Sequence, residues 1–144
     1  MNIMDIDKMY SLACVIAKKA HEGQVDKGGN DYILHPKRVA DMCGKTEEKV
    51  VAILHDTIED TTITAESLLL FGFPEFIVEA VESVTRTKNE PYFNFIQRCK
   101  NNPIGRVVKV NDLKDNMNLT RLDSISEQDL ERMDKYLKAL RILI

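Results

Sequence analysis

The eleven residues Val50-Val51-Ala52-Ile53-Leu54-His55-Asp56-Thr57-Ile58-Glu59-Asp60 join an apolar run to a dense cluster of ionisable groups. Val50, Ala52, Ile53 and Leu54 read as the start of a helical segment. Continued as a helix, a spacing of four sets His55 over Glu59 and Asp56 over Asp60, so two adjacent polar columns leave one surface. An unpaired charge among apolar neighbours is costly, and that surface therefore needs a partner. Acids near a helix C-terminus also oppose the macrodipole and ask for a compensating cation.

Outward from this stretch the apolar residues keep recurring every three to four positions. Met9, Leu12, Ala13, Ile16, Ala17 and Ala20 form one such stripe. Breaks fall where local chemistry places them. Gly23 to Asp31 is a polar turn containing Gly28-Gly29, Gly44 follows a helix, and Pro36, Pro74, Pro91 and Pro103 each suit a first helical turn. The expected fold is all-α, a bundle of seven or eight helices near 4–21, 36–43, 46–59, 64–71, 74–86, 91–101, 103–120 and 126–142. Ser126 and Asp129 resemble an N-cap pair opening an amphipathic last helix that carries Leu130, Met133, Leu137, Leu140 and Ile144. Val107, Val108 and Val110 are β-branched, but with helices on either side they read as a buried helix.

A length of 144 residues fits one domain, 1–144, with a single sizeable core. Hydrophobic residues at 44% and charged residues at 30% exclude a disordered chain. The net charge of -3 provides no global positive field to hold a long polyanion, which argues against non-specific nucleic-acid binding. No apolar run approaches the roughly 18 to 20 residues of a membrane span. Asp5 and Asp7 stand ahead of the apolar stretch Tyr10 to Ala17, where a secretory signal carries positive charge. Cys14, Cys43 and Cys99 are odd in number and lie in apolar-periodic segments, as buried reduced thiols do. A cytoplasmic location is expected.

Three segments place metal-competent or acidic groups among apolar neighbours: His35, then His55-Asp56 with Glu59-Asp60, then Asp112. The two imidazoles and two carboxylates of His35, His55, Asp56 and Asp112 can supply four ligands to a divalent transition ion, with positions left for water or a phosphate oxygen. Mixed nitrogen and oxygen ligands suit Mn²⁺, Fe²⁺ or Zn²⁺ better than Ca²⁺, and an open octahedral shell leans toward Mn²⁺. Glu59 and Asp60, beyond the ion, can orient water and transfer protons. Plainer readings stand beside these. His21 reads as a helix-end or core histidine satisfied by a backbone group. Glu59-Asp60 can be a solvated helix end, and Asp112 with Asp115 an exposed helical face. Arg86, Lys88, Arg98 and Lys100 are either phosphate contacts or a solvated surface, whereas Phe71, Phe73, Phe76, Phe93 and Phe95 read as core packing.

The same residues sit in a longer pattern. It runs from Ala20-His21-Glu22-Gly23-Gln24 with Lys27, through Tyr32-Ile33-Leu34-His35-Pro36 and Val39-Ala40, to Leu54-His55-Asp56-Thr57-Ile58-Glu59-Asp60-Thr61. It continues through Phe71-Gly72, Val84-Thr85 and Val108-Lys109-Val110-Asn111-Asp112 to Asn116-Met117. Over roughly residues 8 to 140 the sequence resembles the HD-domain metal-dependent phosphohydrolases, specifically the RelA/SpoT-type alarmone hydrolases in their small single-domain form. The resemblance implies that His35, His55, Asp56 and Asp112 bind Mn²⁺ and that Glu59 and Asp60 are the catalytic acids. It also implies that Lys27 faces substrate phosphates, that Asn116 contacts ribose or base, and that Tyr32 lines the pocket. The implied reaction removes the 3′-pyrophosphate of (p)ppGpp, giving GDP or GTP and pyrophosphate.

The chain departs from that pattern at Asp26, where most alarmone hydrolases carry Arg against the guanine base. Asp offers no planar cation to stack on a purine and repels phosphate, although it can accept hydrogen bonds from guanine N1 and N2. A phosphohydrolase acting on another phosphorylated nucleotide, such as NADPH, is therefore the second reading, and a non-catalytic nucleotide-binding module the third. Asn111 and Lys114-Asp115 are smaller departures, expected at the pocket edge.

Overall fold

A computed structural model describes residues 4–144. Within them the chain forms α1 (Ile6–Ala20), α2 (Leu34–Asp41), α3 (Thr46–Leu54), α4 (Thr57–Asp60), α5 (Ala65–Leu70), α6 (Glu75–Ser83), α7 (Tyr92–Lys100), α8 (Pro103–Asn116) and α9 (Glu127–Leu143), with a 3₁₀ turn at Leu119–Arg121. Among the described residues the only β pairing is the isolated bridge between Val25 and Asp31. The all-α expectation holds, and no helix there is long and apolar enough to cross a membrane.

The centre of the bundle is α3. Its last five residues, Val50 to Leu54, are all buried, and a helix apolar on every side belongs inside a core. Around it pack α1, α2, α6 and α8, so residues at the end of α3 face both α2 and α8. Several helices start on chemistry legible in the sequence. Asp5 caps α1 through the Asp7 amide, Asn102 caps α8 with Pro103 in its first turn, and Ser126 with Asp129 forms the capping box of α9. Val108 is fully buried within α8 rather than in a strand.

Four expectations need correction: of the apolar residues expected to seat the last helix, Leu130, Leu137 and Ile144 are exposed, and Ala139 and Leu143 are buried in their place. The helix expected over 46–59 is interrupted at His55-Asp56. The His55 ring nitrogen Nδ1 bonds the Ala52 carbonyl at 2.6 Å and the Thr57 hydroxyl donates to the Leu54 carbonyl at 2.7 Å. Side chains thus occupy carbonyls that a continuous helix offers to amides four residues on. Asp56 takes φ -101, ψ 1 and a separate turn, α4, begins. The two polar columns expected from a continuous helix are replaced by a corner that carries His55 and Asp56, with Glu59 and Asp60 one turn beyond. The phenylalanines also divide: Phe73 and Phe95 are core, whereas Phe71, Phe76 and Phe93 are exposed. Of the thiols, Cys43 and Cys99 are buried and Cys14 is half-buried; all three are free.

Candidate metal centre

The corner after α3 presents His55 and Asp56 to His35 on α2 and Asp112 on α8. His55 Nε2 lies 3.0 Å from Asp56 Oδ2 and 3.3 Å from Asp112 Oδ1. His35 Nε2 lies 2.9 Å from Asp112 Oδ1 and 3.7 Å from Asp56 Oδ2. Residues up to 77 positions apart in the chain therefore bring two ring nitrogens to two carboxylates, and His35, His55 and Asp56 offer ligand atoms that all lie within 4.8 Å of one another.

The far side of each imidazole is already committed. His55 Nδ1 is engaged by the Ala52 carbonyl, an acceptor only, so it carries the proton. His35 Nδ1 faces Asp115 Oδ2 at 2.6 Å and donates to it. With Nδ1 committed, a neutral ring at either position carries its lone pair on Nε2 toward the centre, the tautomer of a metal ligand whose other nitrogen is oriented by a carbonyl or carboxylate. His55 Nε2 is a buried polar atom without a hydrogen-bond partner. An orphaned lone pair facing two carboxylates fits a bound cation, and the nitrogen and oxygen set suits a divalent transition ion.

Without a cation between them, the carboxylates draw protons onto these rings instead. Burial opposes charge on both histidines, yet the carboxylates of Asp56 and Asp112 outweigh it and push His55 well above its ordinary pKa. Hydrogen bonds from His35 to Asp112 and Asp115 push His35 up in the same way. Against the burial that favours its neutral form, Asp112 is held well below the usual carboxylate range by Lys109 and His55. The cage thus favours a positive charge at its middle. Lys109 Nζ sits 2.7 Å from Asp112 Oδ2, and Asn116 Nδ2 donates to Asp112 Oδ1 at 3.0 Å. Tyr32 donates its hydroxyl to Asp56 Oδ2 at 2.5 Å.

Asp115 is the residue that sequence reasoning misplaced. Instead of lying on an exposed face or at the pocket edge, its side chain is 6% exposed and receives His35 Nδ1, both Arg38 Nε and Nη2, and Arg121. These partners, working against burial, hold its carboxyl at about 2. Asp112 is likewise buried. Its spacing of three from Asp115 was the available signal, since a helix sets such residues on one side. Asn111 is also buried, donating to Cys43 Sγ, and Lys109, three residues before Asp112, is a cation whose part here the sequence alone does not reveal.

Glu59 and Asp60 lie on α4, one turn beyond Asp56. Glu59 accepts the Arg86 amide at 2.9 Å. Burial and the neighbouring acids Asp60 and Asp56 raise the Glu59 pKa against the effect of that bond. Burial and Asp56 raise that of Asp60. Two carboxyls displaced toward neutrality, one turn beyond the His55-Asp56 corner, can hold and release protons.

A cavity of about 290 Å³ opens from His35 and Tyr32 toward Asp26, Lys27, Asn116 and α9. Lys27 faces Asp129 across it at 3.8 Å. Asp26 lines the cavity, but its Oδ1 accepts the amides of Gly28 and Asn30, each at 2.9 Å, and so shapes the loop. Asn116 reaches the cavity while bonded to Asp112. The basic cluster after Thr85 has a structural member: Arg98 binds Glu90 and the carbonyls of Glu82 and Thr85. His21 is a buried helix end, as expected, but Gln24 rather than a backbone group bonds its Nδ1.

No family model matches the chain. Over 87 positions it is 43% identical to a GTP pyrophosphokinase of Myxococcus xanthus, covering 57% of this chain and 11% of that protein. It is 39% identical over 84 positions to the bifunctional (p)ppGpp synthase/hydrolase SpoT of Escherichia coli, covering 55% and 12%. A guanosine-3′,5′-bis(diphosphate) 3′-pyrophosphohydrolase of Aquifex aeolicus is 33% identical over 125 positions, covering 78% of this chain and 17% of that protein. The chain thus spans between 11 and 17% of the length of these relatives. A solved structure described as a metazoan ortholog of SpoT that hydrolyses ppGpp matches with a TM-score of 0.74 at 18% identity, covering 94% of this chain and 84% of that one.

Proposed function

For a chain related in sequence to the SpoT-type (p)ppGpp hydrolases and sharing the fold of the metazoan ortholog, we propose a metal-dependent phosphohydrolase that removes the 3′-pyrophosphate of (p)ppGpp. The products are GDP or GTP and pyrophosphate, and Mn²⁺ is the proposed ion. The observation that carries this reading is the convergence of His35, His55, Asp56 and Asp112, with both histidines turned by outer partners to offer Nε2. The proposed setting is a single HD domain over 1–144 acting in the cytoplasm on a small-molecule nucleotide.

His35, His55, Asp56 and Asp112 hold the ion, which when bound supplies Lewis-acid polarisation of phosphoryl oxygen and lowers the pKa of water. Tyr32 and Lys109 keep Asp56 and Asp112 oriented through their second oxygens or shared lone pairs. Glu59 and Asp60 take the proton of the attacking water and return one to the ribose 3′ oxygen. The water oxygen ends on phosphorus as the P–O3′ bond breaks, so one water is consumed. Lys27 faces the phosphates, releasing its long contact with Asp129, and Asn116 touches ribose or base.

The test is purified protein with Mn²⁺ and ppGpp, with phosphate and pyrophosphate measured separately. Stoichiometric GDP and pyrophosphate support the reading; intact ppGpp defeats it. Glu59→Gln should suppress turnover by about 10²-fold or more while sparing Mn²⁺ binding. Asp26 favours one second reading. Its Oδ1 is held by the Gly28 and Asn30 amides, and a carboxylate offers no planar cation to stack on guanine. Release of inorganic phosphate from NADPH or another phosphorylated nucleotide in the same panel would select that substrate instead.

A further inference from the structure

The motif Ala20-His21-Glu22-Gly23-Gln24 has no part in the metal cage, yet its side chains are placed with care. His21 ends α1 and is 2% exposed. Its Nδ1 meets Gln24 Oε1 at 2.8 Å, and Gln24 Nε2 donates to the Asp60 carbonyl at 3.0 Å. Because the amide nitrogen of Gln24 is spent on a carbonyl, its oxygen is the acceptor, and His21 Nδ1 carries the proton. The chain of donors therefore runs in one direction, from His21 through Gln24 to Asp60.

The carbonyl it reaches is special. In a one-turn helix such as α4 the last carbonyls have no intrahelical partner, so an outside donor fixes where the turn ends. A second tie runs parallel to it. Tyr32, whose amide bonds the Gln24 carbonyl at 2.9 Å, donates its hydroxyl to Asp56. The His21 ring packs 5.0 Å from that of Tyr32, so it touches both ties to the turn. His21 Nε2 is buried with no partner, an arrangement that costs free energy and that an apolar residue would avoid. Packing alone does not account for a histidine here.

We infer that His21 and Gln24 are positioning residues for the acid pair: the His21–Gln24–Asp60 hydrogen-bond chain clamps the 57–60 turn and so sets Glu59 and Asp60 against the metal cage. The inference rests on the proposed hydrolase reading for its catalytic consequence, whereas the clamp itself can be measured without substrate.

Gln24→Met keeps the length of the side chain and removes both bonds. His21→Leu removes the first donor, and His21→Asn restores it, because Asn Nδ2–H can take the place of imidazole Nδ1–H. In Mn²⁺-loaded full-length protein, amide exchange at Asp60 and Thr61, which bond Asp56 and Thr57 carbonyls, should accelerate about tenfold or more in Gln24→Met and His21→Leu. Exchange in α6 and α9 should stay unchanged, and His21→Asn should recover most of the protection. With (p)ppGpp turning over, kcat should fall about 10- to 100-fold in Gln24→Met with KM and Mn²⁺ affinity within about twofold. Unchanged exchange at Asp60 and Thr61 in Gln24→Met overturns the inference, as does acceleration spread evenly over the molecule or a loss of His21→Asn equal to that of His21→Leu. Wild-type protein that leaves ppGpp intact defeats the hydrolase reading alone, and the exchange data then decide the clamp.

Discussion

Replacing Asp115 by Asn should weaken metal binding although Asp115 touches no ion. Its carboxylate accepts His35 Nδ1 at 2.6 Å and Arg38 Nε at 2.8 Å, with Arg121 Nη1 at 3.4 Å. Asn keeps the size but loses the charge that fixes the His35 tautomer and raises the basicity of Nε2. Outer partners of this kind change metal affinity about 10- to 100-fold, or about 1.4 to 2.7 kcal/mol. The fold should lose less than the buried acid alone suggests, because the Arg38 side chain is 33% exposed and water takes over part of its solvation. About 1 to 2 kcal/mol is expected, seen as a Tm lower by about 3 to 8 °C. Isothermal titration with Mn²⁺ at fixed pH measures the affinity, and Asp123→Asn, at an exposed site, controls for the change in net charge. Equal Mn²⁺ affinity in wild type and Asp115→Asn, or equal weakening by Asp123→Asn, would refute the orienting role.

Two further outcomes concern the scaffold. A Cβ on Gly105 would lie 2.1 Å from Ser83 Oγ, a hydroxyl bonded to the Ala80 carbonyl inside the α6–α8 contact. Gly105→Ala should therefore cost about 1 to 3 kcal/mol in chemical denaturation, and an unchanged midpoint would contradict that packing. Glu90 is held at about 2 rather than 4.5, chiefly by its hydrogen bond with Arg98. A depressed carboxyl contributes stability that is fully present above pH 4.5 and is lost as pH falls through about 2. Thermal melts of Glu90→Gln and wild type should differ above pH 4.5 and converge near pH 2, whereas a constant difference across that range would contradict the ion pair.

Much of the fold was written locally. Polar turns, prolines and the Ser126–Asp129 cap bounded the helices because those signals act within a few residues. The break at His55 was not legible, since it depends on the His55 and Thr57 side chains capturing carbonyls in competition with the helix. His35, His55, Asp56 and Asp112 could be named as candidates from residue type and apolar surroundings. The orienting roles of Asp115, Lys109 and Asn116 could not: spacing alone sets Asp115 on the side of Asp112, and only the packing of α2 on α8 brings it to His35. Asp26 shows the same limit. The resemblance sets this position against the guanine base, and only the folded loop shows that Asp26, still lining the cavity, also holds two amides through Oδ1.

Anomalous diffraction from crystals grown with Mn²⁺ tests the central claim most directly. One peak is predicted among His35 Nε2, His55 Nε2 and the carboxylates of Asp56 and Asp112, with ligand distances near those usual for a divalent transition ion, about 2.0 to 2.3 Å. No peak there at saturating Mn²⁺, or an ion seated elsewhere with these four side chains still bonded to one another, would contradict it.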